Sequence, residues 1–363
     1  MSVTRNRLAL LMAGAASLVA GLLAGEGRLG WPVGSAELMA VHGPLMICGF
    51  FGTVIGLERA VALGKPWGYG SPTASGLGGL LLMAGHVGPA MVLLSLGSLI
   101  FTLMSAAVLR RQKEVFTMVL GLGGACWLAG NLVWFASGTP QQAVPLWAAF
   151  LVLTIAGERL ELSRFLPPWR WRIPSLLPVL ALLGGGAVLG EWWLFGLGLI
   201  TLTLWSLRND VVRRTIRQPG LTRYVAVCLL SGYGWAAVSG VLMLNLKLGE
   251  GGVWNDAALH ALFVGFVFSM VFGHAPVILP AVLRIAVPYK PYFYGPLALL
   301  HASLALRLAG DLADLHVVRQ WGGLANATAL MVFITTYTSP SLRRFHTSPD
   351  QRPCSTNVHH RAV

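Results

Sequence analysis

The sequence predicts an all-α fold: a polytopic membrane helix bundle of about 12 transmembrane helices, with both termini in the cytoplasm. Three observations predict it. Hydrophobic residues make up 55% of the 363 and charged residues 11%, with a mean hydropathy of +0.69, whereas a soluble domain carries roughly 25% charged residues. Apolar runs near the roughly 20 residues that a membrane helix needs recur along the chain. The basic residues fall on alternate connections between those runs, which is the pattern of the positive-inside rule.

Taken in order, the expected spans are 7–25, 37–58, 72–87, 89–109, 115–136, 143–158, 174–190, 192–207, 223–244, 258–282, 292–310 and 318–338. The first is too long for a secretory leader and lacks a small-residue cleavage site, so it is expected to be retained. The third and seventh are short and glycine-rich, the pattern of a tilted or partly re-entrant segment. The tenth carries Pro276 and Pro280, each of which removes a backbone donor and kinks a helix. No polar connection is long enough to fold alone. Residues 1–340 therefore read as one transmembrane helical domain, and 341–363 as a basic, disordered cytoplasmic tail.

The net charge of +13 first suggests an acidic partner such as nucleic acid. Sorted by connection, one side holds 22 of the 26 basic residues against 6 acidic ones, or +16. The other holds 4 basic (Arg28, Lys247, Arg307, Arg319) against 7 acidic, or −3. The excess is thus a topology signal that places the first side inside and requires an even number of spans. No basic stripe is interleaved with stacking aromatics, which excludes nucleic acid as the partner. The bilayer is the expected one, and the inner membrane of a bacterium the expected location. Tryptophans near the span ends (Trp31, Trp67, Trp134, Trp147, Trp169, Trp171, Trp192, Trp193, Trp254, Trp321) read as an interfacial belt. Cys48, Cys126 and Cys228 sit in separate spans without a C-x-x-C pair and read as small buried hydrophobes. A faint echo links the ends of the second and sixth spans, which carry Glu58-Arg59 and Glu158-Arg159.

Ionisable residues inside a membrane default to functional candidates. Carboxylates are nearly cleared from the span interiors, which leaves histidine. His346, His359 and His360 fall in the tail, and His86 and His316 in outer turns. His42, His260, His274 and His301 remain. His42 opens the second span and His260 the tenth, at the same outer depth on different spans. In an α-helix His274 lies about 21 Å beyond His260 and on the same face. Gly49, Gly52 and Gly56, and Gly265 and Gly273, leave helix faces bare, which suits either close helix packing or a flat ligand such as a porphyrin. Low-spin haem b takes two axial imidazoles. Arg307 or Lys247 is placed to pair with propionates. Two readings of the set stand at this point: a haem or metal site, and hydrogen-bonded contacts between helices.

Residues 260–274, HALFVGFVFSMVFGH, followed by LLHASLALR at 299–307, resemble the later spans of NnrS-type proteins, as does the histidine-led second span with Gly49, Phe50, Phe51 and Gly52. That family consists of twelve-span bacterial inner-membrane proteins that bind haem and copper and are associated with the nitric-oxide response. It has a more distant likeness to the catalytic subunit of haem–copper oxidases. The resemblance implies a haem b held by His42 with His260, a second metal or haem position at His274 or His301, copper as a second metal, and nitric oxide or another diatomic gas as ligand. Two other functions fit the same architecture. A secondary transporter would use a histidine-lined site, because proton coupling would fall to His274 or His301. A non-catalytic subunit or assembly factor would have a respiratory complex as its partner.

Overall fold

The computed structural model describes residues 2–244, 251–283 and 288–345. Lys247, Arg284, His346, Cys354, His359 and His360 lie outside the described residues, as does nearly all of the expected tail. Among the described residues the chain is all-helical in its regular structure and contains no strand.

Twelve helices of 14 residues or more occur among the described residues, one at each expected span. They are α1 (Ser2–Arg28), α2 (His42–Leu63), α3 (Gly70–Met83), α4 (Val87–Arg111), α5 (Val115–Ser137), α6 (Val144–Ser163), α7 (Arg172–Leu189), α8 (Trp192–Asn209), α9 (Leu221–Met243), α10 (Gly252–Leu283), α11 (Tyr294–Leu312) and α12 (His316–Phe345). Eight of these are long and apolar enough to cross a membrane: α1, α2, α4, α5, α6, α7, α9 and α10. At 14 residues α3 falls short on length, and α8, α11 and α12 on composition. The expected re-entrant segments are continuous helices, and α7 accommodates Pro178 in its interior.

Local sequence sets many of the boundaries. Glu114 caps α5 through a reciprocal pair of bonds with Thr117, which satisfies donors that the first turn leaves free. Gly64 and Gly138 end α2 and α5 with φ of 65° and 71°, a left-handed turn that glycine enters without steric cost. Short turns make successive helices pack as antiparallel hairpins, α3 on α4, α5 on α6, α7 on α8 and α11 on α12. The most enclosed helix is α6, in which Trp147 through Leu153 are all at most 1% exposed. It contacts α7, α8 and the middle of α10, while α10 also touches α1, α2, α9 and α11.

Two of the long helices are not regular. α2 passes through a π-helical segment, Leu45–Phe51, and α10 through another, Ala261–Val267. A π segment closes i→i+5 bonds and accommodates an extra residue per turn, so the face-sharing of His260 and His274 expected for a regular helix does not hold. The two π segments lie side by side. His42 and His260 meet at one level, and Phe50 and Phe268 at the next, with ring centroids 5.9 Å apart. The offset is eight residues in both helices, so α2 and α10 run parallel and in register.

The interior departs from the expected belt and bare faces. Trp134 and Trp147 are core residues at 1% and 0% exposure, packed edge to face, whereas Trp67, Trp171, Trp193, Trp254 and Trp321 are about half exposed. Trp147 is drawn inside by Asn131, whose Oδ1 accepts from its indole N–H at 2.9 Å. The glycine faces are filled by the chain's own indoles. A Cβ at Gly52 would strike Trp127, and one at Gly265 would strike Trp235. Gly52 and Gly265 therefore serve close packing, and the surface beside each is taken by an indole.

Candidate site: a histidine pair between α2 and α10

His42 follows the turn that leaves the short helix Ala36–Ala40, three residues before the π segment of α2. His260 stands immediately before the π segment of α10. Their rings lie 6.5 Å apart between centroids and within 20° of parallel. His42 Nδ1 is 2.7 Å from the carbonyl of Gly21 in α1, and His260 Nδ1 is 2.8 Å from the carbonyl of Asp256 one turn back. A carbonyl can only accept, so both Nδ1 atoms carry the proton and donate. In the neutral ring each Nε2 then keeps its lone pair, and neither has a hydrogen-bond partner among the described residues. The fit is close on one side, because a Cβ at Gly25 would come within 3.0 Å of the His42 ring. A Cβ at the next residue, Gly43, would meet nothing within 4 Å.

Arg307 bears on this pair indirectly. It donates to Asp256 Oδ2 at 2.7 Å, while Asp256 Oδ1 lies 3.3 Å from His260 Nδ1. A guanidinium, a carboxylate and an imidazole thus form a chain that orients His260. Nearby carboxylates that the sequence places at span ends are well buried. Glu26 is 8% exposed and Asp311 1%, with Asp311 3.7 Å from Arg319 Nε. Charge counting by connection cannot see this, because helix packing rather than chain position buries them.

The other two candidate histidines are not brought to the pair. His274 Nδ1 donates to the Met270 carbonyl at 2.6 Å, and its Nε2 accepts from Arg159 at 2.8 Å. His301 Nδ1 accepts from the Trp235 indole at 2.9 Å, and its Nε2 donates to Ser231 Oγ at 2.9 Å. Both ring nitrogens of each are therefore engaged. The echo of Glu-Arg dipeptides resolves into contact: Arg59 donates to Glu158 at 2.6 Å, and Arg159 turns to His274.

The donor set tests what the pair can hold. Among the described residues no group of three or more His, Cys, Asp or Glu side chains is gathered to hold a metal ion. A bare zinc or copper ion needs three or four protein donors, but haem brings four nitrogens and asks the protein for two. Two imidazole nitrogens bound on opposite sides of one metal, at bonds of ~2 Å, lie about 4 Å apart with their ring centres set further back. The 6.5 Å between centroids is of the size such a pair needs. Residues 7–341 match a family model described as "Domain of unknown function (DUF8744)". No curated protein matches the chain, and neither does any solved structure.

Proposed function

The chain belongs to the DUF8744 family, and from that premise and the histidine pair we propose that it is a bacterial inner-membrane haem protein. In this reading all twelve long helices span the membrane, both termini are cytoplasmic, and His42 and His260 hold a haem b near the outer surface. The observation that carries it is a pair of near-parallel imidazoles with both Nδ1 atoms tied to carbonyls and neither Nε2 hydrogen-bonded among the described residues. Nδ1 donation to a carbonyl fixes the tautomer of a metal-binding histidine and raises the basicity of Nε2.

A haem held there by His42 and His260 would supply one-electron redox chemistry and binding of a diatomic gas. The chain's own residues do the rest. Asp256 and Arg307 hold His260 in place, Gly21 holds His42 across a helix boundary, and Phe50, Phe51 and Phe268 close the floor of the site against water. His42 hangs on one carbonyl and His260 on a carbonyl and a carboxylate, so His42 is the more easily released. That asymmetry supports a role in nitric-oxide response, binding or detoxification, as the resemblance to NnrS-type proteins implies. The two-imidazole donor set favours haem over copper.

The test is an optical spectrum of protein purified in detergent from haem-replete cells, oxidised, reduced, and reduced with nitric oxide. A Soret band is expected, removed by His42→Ala or His260→Ala. Colourless, metal-free wild-type protein would overturn the reading. Substrate-dependent uptake into vesicles by haem-free protein would favour a transporter instead.

A further inference from the structure

At the basic end of the bundle, a cavity of about 280 Å³ opens beside Arg159 and His274. Its walls are mostly aliphatic, with Leu162, Leu221, Val225 and Val277 among them, and Asp210, Thr215 and Thr222 line it beside Arg159 and His274. Arg159 is 5% exposed and belongs to α6, the most enclosed helix. One of its nitrogens donates to His274 Nε2, an acceptor that brings no negative charge. Its Nε has no hydrogen-bond partner among the described residues. The nearest carboxylate among them, Asp210, makes a long ion pair with it, 4.0 Å from Nη1 and too far for a hydrogen bond. Asp210 is also committed elsewhere, because Oδ1 accepts from the Val212 N–H at 3.0 Å and Oδ2 from the Tyr233 hydroxyl.

A buried guanidinium whose charge is incompletely answered is costly and has donors to spare. Its planar fork matches a carboxylate. We propose that this cavity binds a small monoanionic carboxylate with an aliphatic body, its head on Arg159 and its tail against the leucine and valine walls. Arg208 in the last turn of α8, Arg213, Arg214 and Arg217 on the connection that follows, and Arg223 in the first turn of α9 supply a field that draws anions toward it. The volume, at the lower end for a ligand pocket, sets the size to a few carbons beyond the carboxylate, or to the head and first methylenes of a fatty acid entering from the bilayer. Head chemistry is the same in both cases. The site is independent of the histidine pair and stands whether or not the protein carries haem.

The experiment is calorimetric titration of the full-length protein in detergent with butyrate, paired with oleate binding to the protein in phosphatidylcholine nanodiscs. Saturable butyrate binding is expected, at least tenfold tighter than that of butyramide, which has the shape without the charge. Arg159→Gln should weaken it at least tenfold. Because that variant also removes the bond to His274, Val277→Trp serves as a second one: Val277 is 55% exposed at the cavity wall, and an indole there narrows the space without touching a charge. Arg159-dependent binding of oleate alone assigns the site to a membrane fatty acid. The proposal is overturned if neither acid binds, if butyramide binds equally well, or if binding survives either folded variant.

Discussion

Two histidines of α10, 14 residues apart, use the same local device and end in opposite states. His260 and His274 each donate Nδ1–H to the carbonyl four residues back, so the helix fixes the same tautomer twice. The difference lies across the helix boundary. His274 Nε2 meets a guanidinium from α6 and is consumed, whereas the His260 ring lies beside a second imidazole from α2 and its Nε2 has no hydrogen-bond partner among the described residues. A histidine's availability as a ligand is therefore decided by what packs opposite Nε2. Residue type, depth and helix phase do not settle it.

The largest effect should come from exchanging the fates of the two. His260→Ala is expected to remove haem absorbance by tenfold or more, while His274→Ala leaves the spectrum unchanged, as does His301→Ala. Loss of haem in His274→Ala with retention in His260→Ala would reverse the comparison. A smaller effect is expected one bond further out. Asp256→Asn or Arg307→Lys should weaken haem retention by about 10- to 100-fold, the usual cost of losing the group that orients a metal-binding histidine, read by competitive transfer of haem to apomyoglobin.

A third change separates structure from ligand binding. Asn131 is 1% exposed, accepts from Trp147, and donates to the Leu94 carbonyl and Ser98 Oγ. Asn131→Ala leaves several buried groups unpaired and should cost at least about 2 kcal/mol, seen as a lower midpoint of thermal unfolding, with the spectrum of the folded fraction intact. The smallest effect belongs to the His274 end. Arg59 and Glu158 are 23% and 21% exposed in a pair where solvent still screens, so Arg59→Ala should cost about 1 kcal/mol by the same measurement and leave haem content untouched.

The helices were legible because twelve apolar runs and alternating charge are both written along the chain. The nearness of His42 and His260 was legible for the same reason: the charge pattern predicts depth, and it predicts the same level for both. What could not be read depends on packing between distant residues. Nothing in the sequence marks Leu45–Phe51 or Ala261–Val267 as π-helical, and the face expected to join His260 to His274 was lost there. The bare faces at Gly52 and Gly265 were legible, but not that Trp127 and Trp235 fill them. The sequence places Arg159 only at the end of a span; its 5% exposure follows from the central place of α6. Asp256 and Arg307 are 51 positions apart, and their bond to one another exists only in the folded bundle.

The paired π segments also set how the sequence can tolerate change. Each is in effect an inserted residue absorbed without a break in the chain. Deleting one residue from 261–267 would restore an ordinary α-helix and swing the part before it by about 100° against the part after it. The Phe268–Phe50 contact could then be kept only by turning His260 away from His42. A matching deletion in 45–51 would turn α2 in the same sense but about its own axis, and so would not mend the pair. Single-residue length changes in these two windows should therefore be tolerated less well than most point substitutions, although the windows contain no charged residue and no histidine.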